Sequence, residues 1–113
     1  MPSVLSIYVN GNKVLDYENN YREPGLLLRR LDEMDIDMNE GIEINGEMID
    51  SPNKQQRAHY ITLSLLYSIE NANEGMISAT CSYLANRLPE LKQIRATEAD
   101  QEVTLDFIFD EVN

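Results

Sequence analysis

A chain of 113 residues and 13.0 kDa with 42% hydrophobic and 26% charged residues has the make-up of one compact domain, residues 1–113, and not that of a linker or low-complexity tail. Its single cysteine, Cys81, excludes an internal disulfide framework, and its longest apolar candidate, residues 61–67 interrupted by Thr62 and Ser64, is far short of the roughly 20 residues of a membrane span. Twenty acidic against nine basic residues give a formal charge of −11, a field that repels phosphate backbones and so speaks against direct nucleic-acid binding.

The opening residues, Met1-Pro2-Ser3-Val4-Leu5-Ser6-Ile7, carry no base before Lys13, so the charged and apolar regions of a secretory signal are missing and a cytoplasmic protein is expected. Residues 4–17 read as two short strands around Asn10-Gly11, a dipeptide whose tolerance of positive φ suits a two-residue type I′ turn. Such a turn sets Ile7 opposite Val14. Asn19 and Asn20 end this hairpin, and Pro24, tolerated in a first helical turn, opens a helix of about three turns bearing Leu27, Leu28, Leu31 and Met34. Its end is expected near residues 35–41. A second Asn-Gly pair, Asn45-Gly46, lies between Ile42, Ile44 and Met48, Ile49 and predicts another short hairpin. The likeness of residues 7–11 to residues 42–46 follows from shared turn chemistry.

Ser51-Pro52 predicts the next helix start, a hydroxyl cap with proline at the first helical position, and the helix runs to about Ala72. Ala58, Ile61, Leu65, Leu66 and Ile69 form its apolar face. Asn73-Glu74-Gly75 is expected to break it before a third helix with Ile77, Cys81, Leu84 and Leu88 in its seam, ended by Pro89. In an antiparallel pair turning near Asn73, Ile69 falls level with Ile77, Leu65 with Cys81, Thr62 with Leu84 and Ala58 with Leu88, so turn and apolar pattern agree on a helical hairpin. Finally, Val103, Leu105, Phe107 and Phe109 alternate with mostly polar residues as in a strand with one buried face, and residues 93–97 supply its partner. The expected fold class is α+β: an antiparallel sheet of short hairpins, with a helical hairpin and one further helix packed on one face.

Candidate chemistry is sparse. His59 and Cys81 are each the only residue of their type, but the pairing rule separates them by six residues of rise, about 9 Å, and places Cys81 in the apolar seam as an inert hydrophobe. One histidine and one cysteine do not make a zinc site without carboxylates or a second subunit. Residues 35–43 resemble the start of an EF-hand calcium loop through Asp35, Asp37 and Asn39. They depart from it in the late Gly41 and in Gly46 at the twelfth position, so the simpler reading is a helix end turning into a strand. No phosphate loop, nucleophile elbow or HExxH helix is present. No catalytic residue, metal or cofactor is therefore assigned.

The charge, however, is uneven. Residues 32–50 hold eight acids and residues 98–111 six more, with all nine bases outside both stretches, so that the remainder of the chain is net positive by three. Tyr60 and Tyr67 lie a heptad apart, off the apolar face of their helix. These rings suit an exposed interface, although so apolar a helix is also expected to bury a second stripe beneath the sheet. The expected role is a non-catalytic interaction or regulatory module that meets a basic protein surface, or a second copy as a homodimer, without membrane contact. Asp35, Asp37, Glu40, Glu43, Tyr60, Tyr67 and the outward-facing Ile108 form its candidate surface. The rival readings are a nucleic-acid mimic that inhibits a basic DNA- or RNA-binding protein, and a small enzyme dependent on carboxylates and a divalent metal.

Overall fold

Backbone pairing in the computed structural model, which describes residues 3–19, 24–44 and 46–109, runs β1 (Ser3–Val9), β2 (Asn12–Asn19), α1 (Pro24–Asn39), β3 (Ile42–Ile44), β4 (Glu47–Ile49), α2 (Lys54–Glu70), α3 (Glu74–Arg87), β5 (Gln93–Ala99) and β6 (Glu102–Ile108). The fold is α+β. Two compact units divide it: one takes the described parts of Met1–Asn20 and Leu84–Asn113, the other those of Tyr21–Tyr83, so the boundary falls within α3. The expected turn residues Asn20 and Asn45 lie outside the described residues, as does the side chain of Leu27.

In the first unit, the hairpins β1–β2 and β5–β6 lie side by side in the order β2-β1-β5-β6. The sheet is mixed where an antiparallel one was expected, because β1 and β5 pair parallel, with Ile7 beside Ile94. A parallel neighbour needs a long crossover, and here the connection from β2 to β5 contains all three helices. Asn10 at φ 50° and Gly11 at φ 83° form the two-residue turn that the dipeptide predicts. Beyond it the register slips between Ile7 and Tyr8, leaving Val14 unpaired and setting Ile7 opposite Leu15, one place from the expected Val14. The slip is a bulge, which lets one strand carry an extra residue.

Register then assembles the faces. Leu15, Ile7, Ile94 and Phe107 form a row across all four strands, with Ile7 and Ile94 fully buried. On the other face Lys13, Tyr8, Arg95 and Asp106 form a polar row, in which the Arg95 guanidinium lies 4.3 Å from the Tyr8 ring centre. Asp16, beside this row, accepts from the Ser6 hydroxyl at 2.6 Å and from the Lys13 ammonium at 3.2 Å. Those two donors hold its carboxyl below the usual range.

In the second unit, α1 extends beyond the expected three turns, because Met38 continues the apolar stripe of Leu31 by seven residues and both are buried. β3 and β4 form the expected small hairpin with Ile42 opposite Ile49. The start of α2 moves from the expected Ser51-Pro52 to Asn53, which is extended at φ −81° and ψ 178°, while Ser51 sits at φ 53° where a cap cannot. Asn53 Oδ1 accepts from Gln56 N at 2.8 Å and Asn53 N donates to Gln56 Oε1 at 2.9 Å, a reciprocal capping box.

The break after α2 is Asn71-Ala72-Asn73, so Glu74 and Gly75 belong to α3 and do not interrupt it. Ala58, Ile61, Leu65 and Cys81 of the proposed seam are buried, whereas Ile69 and Ile77 are half-buried. Buried Thr62, Ser68 and Thr80 return their hydroxyl hydrogens to carbonyls four residues earlier at 2.7–2.8 Å, which makes them compatible with an apolar face.

The hairpin of β5 and β6 turns on Asp100 and Gln101, at φ 53° and 67°, without a glycine. A side chain in the left-handed region is unfavourable, so Gln101→Gly is expected to raise stability by about 1 kcal/mol in denaturant unfolding, as in an Asp-Gly turn. An unchanged or lower midpoint would show that the turn carries no such strain.

Candidate functional site

The second unit is organised around one guanidinium. The carboxyl end of α1 has no basic residue in its last turn, and it carries Asp35 and Asp37 where the negative end of the helix dipole disfavours acids. Arg57, one turn into α2, supplies the missing charge. Its Nη1 donates to the Asp35 carboxylate at 2.9 Å and to the Asp35 carbonyl at 3.3 Å, its Nη2 donates to the Asn39 side-chain oxygen, and its Nε donates to the Pro52 carbonyl at 3.0 Å. The Tyr83 hydroxyl of α3 donates to the same Asp35 oxygen. One side chain thus ties α1, the turn before α2 and α2 itself, and Asp35 extends the tie to α3. The Asp35 and Arg57 side chains keep only 25% and 20% of their exposure, so the pair is shielded enough to hold geometry.

This arrangement places the expected surface residues in different roles. Asp35 belongs to the internal node and is not a free acidic contact. Asp35, Asp37 and Asn39 all lie on α1, so residues 35–39 are helix and do not form a calcium loop. Glu40, exposed, follows the helix end and its amide donates to the Asp37 carbonyl at 3.3 Å. Ile108 is half-buried at the end of β6, opposite Gln93.

Glu43, Tyr60 and Tyr67 come together. They line one open groove of about 390 Å³ with Leu63, Ser64, Ser68, Asn73 and Met76. Tyr67 is 69% exposed and Met76 42%, so Tyr67 is a surface ring, while Tyr60 is half-buried. A second groove, about 660 Å³, runs beside Arg30, Glu33, Met34 and Asp37 and shares Asn73 and Met76 with the first. The two meet at the amino end of α3, where Asn73 caps the helix by accepting from Met76 N at 3.2 Å. Four of the seven residues singled out in the sequence therefore line this joined surface: Asp37, Glu43, Tyr60 and Tyr67.

Sequence reasoning missed Met76 and Arg57. A signal for Arg57 does exist in the chain, since a base in the first turns of one helix and acids in the last turn of another are each unfavourable alone and complementary together. Cys81 is wholly buried and burial pushes its thiol up to about 12, which removes the thiolate a nucleophile needs. Among the described residues no three His, Cys, Asp or Glu side chains are grouped to hold a metal ion, and no helix is long and apolar enough to cross a membrane. Scans against protein-family models, curated proteins and solved structures return no match.

His59 is half-buried, its Nε2 is enclosed with no hydrogen-bond partner among the described residues, and burial lowers its pKa from the ordinary 6.5. Below 6.5 the unfolded chain therefore binds a proton that the folded one resists, so stability falls as pH drops through that value. His59→Leu is expected to flatten the unfolding midpoint against pH between about 5 and 6.5. Parallel curves for the two proteins would assign the acid sensitivity elsewhere.

Proposed function

We propose that the chain is a non-catalytic binding module whose joined groove at Tyr60, Tyr67 and Met76 receives an apolar side chain flanked by Lys or Arg from a partner protein. The observation that carries this reading is the exposed Tyr67 ring beside Met76 in a groove with acidic margins. Tyrosine and methionine offer large contact area at a binding surface, the first with a polar tip and the second with an adaptable thioether. Of the four charged residues lining the two grooves, Glu33, Asp37 and Glu43 are acidic and Arg30 alone is basic, so a cationic segment is the complementary occupant.

A divalent-metal enzyme draws less support. Asp35, the first position of its best ligand motif, is committed to Arg57 and Tyr83. A mimic of nucleic acid draws less as well, because the groove acids are dispersed over α1 and β3 and follow no single strand-like track.

Amide-shift titration with a short peptide bearing Leu between arginines tests the proposal. Saturable shifts at Glu43, Tyr60, Tyr67 and Met76 are expected, with affinity falling about tenfold between roughly 50 and 500 mM salt. Tyr67→Ala should weaken binding by about tenfold, as loss of an interface aromatic does. Diffuse shifts over all acidic segments, or an affinity indifferent to both salt and Tyr67, would overturn it.

A further inference from the structure

The two edges of the four-stranded sheet are unlike. β2 is guarded: its pairing with β1 is broken at Val14, and Lys13 and Asp16 hold an ion pair of 3.2 Å along it. A kinked and charged edge resists further pairing. β6 carries charge, at Glu102 and Asp106, but no break in its pairing. Its seven residues pair with β5 in unbroken register, they include no proline or lysine, and no further strand flanks it among the described residues. Glu102, Thr104 and Asp106 are exposed, and Val103, Leu105 and Phe107, on the opposite face, are only half-buried.

We propose that β6 receives an extended segment of a partner protein as a fifth strand, and that this segment alternates apolar with basic residues. Main-chain hydrogen bonds along a free edge supply affinity, and alternate side chains supply selection. Period two dictates the pattern: apolar residues beside Val103, Leu105 and Phe107, and Lys or Arg beside Glu102 and Asp106. Charge also chooses between occupants. Residues 98–111 contain six acids and no base, so a second copy would set carboxylate against carboxylate, and a net −11 against −11, whereas a lysine-bearing strand neutralises them. This edge belongs to the first unit and the tyrosine groove to the second, so either site can fail without the other.

The probe is an acetylated peptide of about eight residues alternating Val and Lys, titrated into the full chain while amide shifts and amide hydrogen exchange are read. The expected result is shift and slowed exchange confined to β6 and its turn, no response along β2, and affinity about tenfold lower at 500 than at 50 mM salt. A peptide with Glu in place of Lys should not bind. Glu102→Lys with Asp106→Lys should reverse that preference, circular dichroism confirming that the variant is folded; the peptide exchange tests the same point on the unaltered protein. Equal responses at both edges, binding that ignores the peptide's charge, or a free chain already dimeric with β6 amides protected would each overturn the proposal.

Discussion

Arg57 provides at the carboxyl end of α1 the positive charge that α1 itself lacks, and the second unit is built on that exchange. The guanidinium satisfies a helix-end carbonyl, a carboxylate and an amide oxygen from one planar fork, which a flexible ammonium does not do as well. Asp35 in turn accepts from Tyr83, so α1, α2 and α3 are bound to a single shielded carboxylate. The geometry of this node is fixed by neighbours on three elements. The two grooves of this unit are lined from the same three helices, together with Glu43 of β3 and Asn73 before α3. Their side chains are thus presented on a frame held by directed bonds as well as by the buried face of Ile61, Leu65 and Cys81.

That division of labour sorts the acids of the chain between the scaffold and the exposed surface. Asp16 is held by Ser6 and Lys13, and Asp35 by Arg57 and Tyr83, and both serve the scaffold. The carboxylates at Glu33, Asp37 and Glu43 stand exposed around apolar and aromatic side chains. In the proposed binding role, the excess of these three carboxylates over Arg30 around Tyr67 and Met76 favours rapid encounter with a cationic partner, followed by burial of a few apolar atoms.

Much of the scaffold is legible in the chain where the governing interaction is local. Asn10-Gly11 announces its turn, Pro24 the start of α1, and the apolar steps of α2 and α3 their buried faces. Errors arise where two local signals compete or a signal is absent. Ser51-Pro52 looks like a cap, yet Asn53 wins because Gln56 stands three residues on to complete a reciprocal pair. The turn at Asp100-Gln101 has no glycine to mark it. The bulge at Val14 depends on pairing beyond the turn. Long-range features are hidden for a different reason. The parallel match of Ile7 with Ile94 and the capture of Asp35 by a base 22 residues away follow from the path of the chain, which no short window contains. Hence the sequence marks Tyr60, Tyr67 and Glu43 for the surface but also assigns Asp35 there.

The most direct measurement of the central claim is a double-mutant cycle in denaturant unfolding with Asp35→Asn and Arg57→Met. If one shielded pair organises α1 and α2, each single change lowers stability by about 2 kcal/mol and the double variant loses little more than either, a coupling of at least about 1 kcal/mol. Losses that simply add, or single changes that leave the midpoint in place, would contradict it.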